Sequence, residues 1–373
     1  MRINSFLFKD KFFNVTKHQL IYPPDYDFLD ASLYGKLKLT ISRILKRKVP
    51  FEPNYLFWTS AILTIGFEWG HRLLKRESDL QTLILFYKKI VDRFSIEQLK
   101  TLDATMTGYT LIYLESIVDD KSIKYTLDSM AVFLTDQHPK TIEGILPYRA
   151  NKMNMLLVDT LAMICPFLSR YWNEYGDSKA LELCVQQITE FIEKGIDKSL
   201  CLPYHGYLAD SGKNIGLLGW GRGVGWLLIG LVDSLEYIPK NHSNYHLISN
   251  CFMNCINSVK KYQDKRGYLH WNLLDEKAHV DSSATAMFGY SIIRGINLKI
   301  LDYSYLKYAN KSLNALNCST NMFGMVNDCS GECNGPGRYS EFFGFRSWAQ
   351  GPAYALAVLL EDMQYRLPKE FEL

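Results

Sequence analysis

The chain has 373 residues, 47% of them hydrophobic, which allows one large domain or two to three ordinary ones. Its 42 Lys and Arg residues nearly balance 39 Asp and Glu residues, so the charge gives no support for a nucleic-acid partner. Aromatic residues make up 14% of the chain. This content suits a carbohydrate-binding protein and equally suits a tightly packed helical one.

Targeting signals and cysteines indicate where in the cell the protein is located. No apolar core of a secretory signal begins the chain, and no uncharged run reaches the roughly 18 apolar residues of a membrane span. The eight cysteines form no CxxC pair, which predicts reduced core thiols and a cytoplasmic location. Cys318, Cys329 and Cys333 lack a neighbouring histidine, so we expect no metal and no cofactor.

The basic stretch Lys36–Lys48 is typical of a solvated helix face, and contact with an anionic membrane surface is the alternative.

Six segments are apolar and rich in small residues, and each predicts a buried helix. In chain order they begin near Thr59, Thr107, Leu161, Trp226, Ala286 and Pro352. More polar segments lie between them and predict amphipathic helices, for example at Leu80–Phe94, Lys179–Lys194 and Tyr245–Tyr262. No shift in composition between these segments marks a domain linker.

This alternation predicts the architecture. About six pairs of a buried and an amphipathic helix indicate six helical hairpins. We predict an all-α protein whose residues 51–373 form a single (α/α)6 barrel, with residues 1–50 as an N-terminal extension that packs on it. An open helical solenoid is the alternative.

Conspicuous polar or aromatic residues stand just before the predicted inner helices. They are Asp103, Asp159, Arg222 with Trp226, Asp281, and Trp348 with Gln350. If the inner helices run parallel, these residues gather at one end of the barrel. A ring of carboxylates and aromatic side chains there predicts a sugar-binding cleft.

The segment Gly219–Trp226 has the sequence GWGRGVGW, and a glycine inside a helix costs about 1 kcal/mol relative to alanine. We therefore predict a loop that a ligand approaches closely, followed by an apolar helix that ends before Pro239. Trp220 and Trp226 would stack on sugar faces, and Arg222 would bind a carboxylate bidentately. A glycine-rich turn with core tryptophans is the alternative, and a nucleotide phosphate loop is disfavoured.

Two carboxylates are candidates for acid and base chemistry. Asp159 lies in an apolar run, where loss of water disfavours its charged form and favours a role as proton donor. The alternative is an N-cap of the helix that follows. Asp103 has the same two interpretations, and two carboxylates in one cleft would divide into an acid and a base. His205, flanked by tyrosines, suits hydroxyl binding, although a buried hydrogen-bonded histidine is equally common.

Several motifs in the same order resemble the unsaturated glucuronyl and rhamnogalacturonyl hydrolases of glycoside hydrolase families 88 and 105. The sequence LPYHGY at residues 202–207 precedes GWGRGVGW. VDTLAMICPFL at residues 158–168 resembles the segment that bears the family's catalytic aspartate. HVDSSATAMF at residues 279–288 resembles a further family segment, and the likeness covers roughly residues 100–365.

The resemblance implies an (α/α)6 barrel that hydrates the C4=C5 double bond of a terminal unsaturated uronic acid and releases the neighbouring sugar of an oligosaccharide. Asp159 would donate the proton and activate water, with Asp103 as the second carboxylate. The implied sugar-binding residues are His205, Arg222 and Trp226. We also predict that Trp220, Tyr148, Arg149, Ser283 and Trp348 bind the substrate.

The chain departs from the family pattern at three places in the expected substrate pocket. Leu157 replaces an aromatic residue, Tyr148 or Arg149 replaces a histidine, and Val224 replaces an asparagine. These changes motivate an alternative function, in which the barrel binds polysaccharide in capsule or exopolysaccharide biosynthesis without this hydrolysis. A different sugar enzyme on a similar barrel, such as an epimerase or an ordinary glycosidase, is a third possibility.

Overall fold

The computed structural model describes residues 5–21, 33–45 and 58–366, and α-helices dominate these residues. In chain order the helices are α1 (Ser5–Ile21), α2 (Leu33–Ile44), α3 (Trp58–Leu74), α4 (Glu77–Arg93), α5 (Leu102–Thr105), α6 (Gly108–Glu115), α7 (Lys121–Val132), α8 (Asp159–Tyr175), α9 (Ser178–Lys194), α10 (Gly221–Leu235), α11 (Tyr245–Val259), α12 (Ser282–Asn297), α13 (Leu306–Ser319) and α14 (Ser347–Arg366). Short strands are β1 (Met155–Leu157), β2 (Ile196–Asp197), β3 (Leu202–Pro203), β4 (Gly206–Leu208), β5 (Asn214–Ile215), β6 (Cys329–Ser330) and β7 (Phe343–Gly344).

Six helices form an inner ring: α3, α6, α8, α10, α12 and α14. Each packs against the next, and α14 packs against α3, which closes the ring. The outer helices α4, α7, α9, α11 and α13 each pack against the inner helix that precedes them, and α1 packs against α14. The (α/α)6 barrel predicted from the sequence is therefore confirmed, and the closed ring excludes the open solenoid.

Outer helix α9 shows how the amphipathic pattern produces this arrangement. Cys184, Ile188 and Phe191 are buried on the face towards the barrel, at the i, i+4 and i+7 spacing of one side of a helix. At its start, the side chain of Asp177 accepts a hydrogen bond from the backbone amide of Lys179, at 3.0 Å. Local sequence thus determines where the helix begins and which face it buries.

The prediction of a loop throughout Gly219–Trp226 is wrong, because α10 already begins at Gly221. A Cβ atom at Gly221 would lie 2.4 Å from the backbone carbonyl oxygen of His270, and one at Gly225 would lie 2.5 Å from Sδ of Met287. The glycines therefore permit close approach of neighbouring chain segments. This packing outweighs their cost of about 1 kcal/mol each in helix propensity.

The basic stretch Lys36–Lys48 is described only as far as residue 45, and residues 46–48 lie outside the described residues. Helix α2, which contains its first part, exposes the apolar side chains of Leu33, Tyr34 and Leu37. The solvated helix face stays a prediction, and contact with a membrane surface stays its alternative. Within the described ranges, no helix is both long and apolar enough to span a bilayer.

Candidate active site

A cavity of about 230 Å³ opens at the end of the barrel where inner helices begin. The predicted site residues in its wall are Asp159, His205, Trp220, Arg222, Tyr148 and Arg149. The other residues in the wall are Trp58, Lys152, Met155, Leu157, Met163, Glu332, Cys333, Asn334 and Gly335. Trp58 and Asp159 are the first residues of α3 and α8, so the expected gathering of helix starts at one rim brings these side chains together.

Asp159 and His205 are brought together by a small antiparallel sheet. Strand β1 ends two residues before Asp159 and pairs with β4, with Leu157 opposite Gly206. The backbone amide of Val158 donates to the carbonyl oxygen of His205 at 2.9 Å. As a result, Nε2 of His205 lies 3.4 Å from Oδ2 of Asp159, and the two side chains are 2% and 16% exposed.

Asp159 does not cap α8, so the N-cap alternative is wrong for this residue. The N-cap position belongs to Val158, and no side chain makes a capping hydrogen bond there. Oδ2 of Asp159 is buried and has no hydrogen-bond partner among the described residues. A buried carboxylate oxygen without a donor is costly, and such groups occur where function requires them.

Asp103 does not cap its helix either, because the side chain of Thr101 caps α5. Instead, Asp103 accepts hydrogen bonds from Oη of Tyr148 at 2.6 Å and from Nη1 of Arg149 at 2.8 Å. Burial and the adjacent Asp103 carboxylate raise the pKa of Tyr148 well above its usual value, so the phenol keeps the proton that it donates. Asp103 thus lies behind two residues of the cavity wall and holds them in place.

The aromatic ring of Trp220 forms part of the cavity wall and supports His205. The ring centroids of His205 and Trp220 lie 4.4 Å apart, with an interplanar angle of 37°. The guanidinium carbon of Arg222 lies 4.9 Å from the Trp220 ring and 5.4 Å from the Trp348 ring. These stacked groups leave His205 little freedom to reorient.

The sequence predicts that Arg222 binds a carboxylate bidentately, but in the structure both of its terminal nitrogens bind backbone carbonyl oxygens. Its Nη1 donates to the carbonyl oxygen of Ser330 at 2.8 Å, and its Nη2 donates to that of Gly331 at 2.9 Å. Carbonyl oxygens therefore accept from both terminal nitrogens, and the remaining donors of Arg222 are Nε–H and the second hydrogen of each terminal nitrogen. In this structure Arg222 holds the segment that continues into Glu332 and Cys333 in the cavity wall.

Trp226 and Trp348 lie behind the cavity wall rather than in it. Trp226 is 1% exposed and packs edge-on against Trp58, with ring centroids 5.4 Å apart. Trp348 is fully buried, lies 5.0 Å from Trp58, and donates Nε1–H to the carbonyl oxygen of Ser330 at 3.0 Å. Both rings support Trp58 by packing against it, and the buried indole of Trp348 has an acceptor for its N–H.

Ser283 also lies outside the cavity wall. Asp281 caps α12 by accepting from the backbone amide of Ser283 at 2.9 Å, and the Ser283 hydroxyl donates to the same carboxylate oxygen at 2.6 Å. The backbone amide of Ser330 lies 3.3 Å from that oxygen as well. This end of α12 therefore supports the segment that Arg222 holds. Neither Asp281 nor Ser283 faces the cavity.

Several residues of the wall are not among those predicted from the sequence. Trp58 stands at the start of an inner helix, as Asp159 does, so the same positional argument extends to it. Lys152 and the segment 332–335 lie in connections between helices, where no periodic pattern marks them. Of the departures from the family pattern, Leu157 lies in the wall, whereas Val224 is buried within α10. The described residues contain no group of three or more His, Cys, Asp or Glu placed to hold a metal ion.

Comparisons with known proteins identify the family and the fold of the chain. The family profile described as Glycosyl Hydrolase Family 88 matches residues 50–361. The chain belongs to this family. It is 24% identical over 293 residues to the unsaturated rhamnogalacturonyl hydrolase YesR of Bacillus subtilis (strain 168), which covers 75% of this chain and 80% of that protein.

Solved structures of family relatives share the barrel. A possible member of the GH105 family from Klebsiella pneumoniae subsp. pneumoniae MGH 78578 superposes with a TM-score of 0.83 at 17% identity, over 98% of this chain and 94% of that one. The unsaturated glucuronyl hydrolase of Bacillus sp. GL1 superposes with a TM-score of 0.65 at 17% identity, over 84% of this chain and 88% of that one. At these identities the likeness shows the fold.

Proposed function

We propose that this family 88 protein hydrolyses oligosaccharides that end in an unsaturated glucuronyl or galacturonyl residue, by hydration of the C4=C5 double bond. The observation that carries the proposal is the close pair of Asp159 and His205 in the wall of a cavity at the rim where the inner helices begin. YesR, to which the chain is 24% identical over 75% of its length, is an unsaturated rhamnogalacturonyl hydrolase.

Asp159 alternates between acid and base in the proposed reaction. Its protonated carboxyl gives a proton to C4 of the sugar, and positive charge develops between C5 and the ring oxygen. Water then attacks C5 while the Asp159 carboxylate takes up one of its protons, which restores the starting carboxyl. The resulting hemiketal opens, and the neighbouring sugar is released. A single carboxyl group therefore suffices, in contrast to the two-carboxylate displacement at an anomeric carbon.

Substrate binding is assigned to the rest of the wall. Trp58 offers an aromatic surface for a sugar ring, whereas the Trp220 ring is stacked against His205 and Arg222 and supports them. Arg149 and the exposed Lys152 supply positive charge near the uronate carboxylate. Arg149 keeps Nη1 on Asp103 and directs Nη2 at Oη of Tyr148, 3.4 Å away, so its other N–H groups are those available to a ligand.

The test uses disaccharides and oligosaccharides that polysaccharide lyases generate from several uronate polymers. Turnover removes the conjugated double bond, and its ultraviolet absorbance decreases. We expect turnover of at least one substrate by the parent protein, and loss of kcat by roughly 10²–10⁴-fold in Asp159→Asn. Asp210→Asn, which changes an exposed carboxylate, is the matched control and should retain the parent rate. Well-folded parent protein that turns over none of these compounds would refute the proposal.

The same experiment separates hydrolysis from binding alone. If the barrel only binds polysaccharide, the parent and Asp159→Asn should bind the oligosaccharides with similar Kd and neither should change their absorbance. A binding titration of both proteins, run beside the rate measurement, gives this comparison.

We propose that the protein works in a reducing compartment, the cytoplasm. All eight cysteines are free, and the thiols of Cys165 and Cys184 are buried in the barrel. Burial raises the pKa of the Cys165 thiol well above its usual value, which keeps it protonated and unreactive. Fractionation of the source cells tests the proposal, and recovery from the extracellular or periplasmic fraction would contradict it.

A further inference from the structure

Tyr339 lies behind His205 and belongs to the connection between β6 and β7, outside the residues that line the cavity. Its Oη is 3.1 Å from Nδ1 of His205, the ring nitrogen that points away from Asp159. The other ring nitrogen, Nε2, faces Oδ2 of Asp159. The imidazole therefore lies between a phenol and the candidate catalytic carboxyl.

The phenol oxygen already accepts a hydrogen bond, so its own proton is available for donation. The backbone amide of Leu217 donates to Oη of Tyr339 at 2.7 Å. Burial raises the pKa of Tyr339 to about 12, against the opposing effect of backbone hydrogen bonds from Leu217 and Gly337. The phenol therefore keeps its proton at neutral pH. With backbone donors directed at its oxygen, this proton points to Nδ1 of His205.

The position of the His205 ring is also fixed by its own backbone. Its amide donates to the carbonyl oxygen of Leu217 at 3.2 Å, and its carbonyl oxygen accepts from Val158. Gly216 makes room for this arrangement. With φ at +74°, its missing Cβ would lie 2.6 Å from Cβ of His205 and 2.8 Å from Oη of Tyr339. The phenol reaches the imidazole because residue 216 is glycine.

We infer that Tyr339 is a positioning residue that holds His205 in the neutral tautomer with its hydrogen on Nε2. A histidine nitrogen that accepts a hydrogen bond carries no proton, so the other nitrogen carries it. Donation from Tyr339 to Nδ1 therefore directs Nε2–H at Oδ2 of Asp159. Hydrogen bonds of this kind are often long without substrate and shorten in the complex, which accounts for the 3.4 Å separation.

The tautomer determines which oxygen of Asp159 carries the acid proton, a consequence that rests on the proposed function. When Nε2–H donates to the buried Oδ2, that oxygen acts as an acceptor, and the carboxyl proton resides on Oδ1, the oxygen left to face the substrate. In the opposite tautomer, the lone pair of Nε2 would attract the carboxyl proton towards His205 and away from C4 of the sugar. Tyr339 thus favours proton transfer to the substrate without touching it.

The test is the tautomeric state of His205, read by nitrogen-15 NMR of the imidazole. The signal is assigned as the one that His205→Gln removes. We expect the parent to show a protonated Nε2 and an unprotonated Nδ1, and Tyr339→Phe to show a mixture of tautomers. With a substrate, Tyr339→Phe should lower kcat on the order of tenfold or more and change KM little.

Tyr268→Phe is the matched control, because it removes a phenol hydroxyl that contacts Ser319 at 2.9 Å instead of His205. It should leave the His205 signals and kcat unchanged. A parent protein with the hydrogen on Nδ1 would overturn the inference without any variant, even if Tyr339→Phe fails to fold. Absence of turnover in the parent would refute the proposed function and leave the NMR result to decide the tautomer.

Discussion

The guanidinium of Arg222 lies 2.8 Å from the carbonyl oxygen of Ser330, and this hydrogen bond joins inner helix α10 to the segment that forms part of the cavity wall. The second donation, to Gly331, extends along the same backbone. Trp348 donates to the carbonyl oxygen of Ser330 as well. The structure therefore assigns to Arg222 a supporting role for the wall, beside any contact with substrate.

Replacing Arg222 by lysine should loosen this wall. Lysine cannot donate to both carbonyl oxygens with a planar fork, and a lost bond from a charged donor is worth about 1.5–3 kcal/mol of unfolding free energy. We expect urea denaturation of Arg222→Lys to show a decrease of this size, together with a higher KM. Arg266→Lys, a control at a guanidinium that is 68% exposed, should change neither. Equal stability of Arg222→Lys and the parent would contradict the supporting role.

Gly221→Ala tests why glycines are tolerated in α10. Alanine in an ordinary helix position would stabilise the protein by about 1 kcal/mol. Here the new methyl group would lie 2.4 Å from a backbone oxygen, so overpacking should instead destabilise by about 1–3 kcal/mol. Gly344→Ala provides the comparison, since its methyl group would meet only Arg346 Nη1, at 3.8 Å. Thermal unfolding of both variants distinguishes close packing from flexibility as the reason for the glycines.

Tyr148→Phe removes the phenol that donates to Asp103. The buried carboxylate then keeps Arg149 as a donor but loses a 2.6 Å bond, and we expect a loss of about 1–3 kcal/mol in unfolding free energy. Because Tyr148 also lines the cavity, KM should rise. Tyr171→Phe removes a comparable phenol–carboxylate bond to Asp128, away from the cavity. It should lower stability and leave KM unchanged, and an equal KM effect in both variants would argue against a role for Tyr148 in binding.

A buried ion pair at the opposite end of the barrel should affect stability without affecting chemistry. Nη1 of Arg170 donates to Oε1 of Glu68 at 2.8 Å, and both side chains are at most 7% exposed. Glu68 lies ten positions after Trp58, which is about 15 Å along α3 from the cavity. Glu68→Gln should cost about 3–5 kcal/mol, because Arg170 loses its buried counter-ion.

For this variant we expect kcat and KM to stay within about twofold of the parent while it remains folded, since the lost pair contacts no cavity residue. Glu97→Gln, at a carboxylate that is 78% exposed and paired with Lys100, is the control and should be neutral in both stability and rate. A large loss of kcat in folded Glu68→Gln would show that the two ends of the barrel are coupled.

The sequence alone was sufficient to predict the barrel fold and the family. Apolar segments rich in small residues predicted six inner helices, because a helix that is buried on all sides consists of apolar and small residues on every face. The motifs around Asp159 and His205 indicated the family that the profile match confirms. They also indicated two residues that the structure brings together. Asp159 lies two residues after β1, His205 lies immediately before β4, and these two strands pair directly.

Only the tertiary structure decided which way the remaining side chains face. The partner of Arg222 lies 108 positions along the chain, and no local pattern predicts a bond over that distance. Helix α10 begins among glycines because close contacts with other segments outweigh helix propensity. Trp226 and Trp348 are buried because they pack against Trp58, which is distant in the sequence. Tyr339, 134 positions from His205, carries no signal in the sequence. Local periodicity therefore determined the helices, whereas long-range packing and hydrogen bonding determined the site.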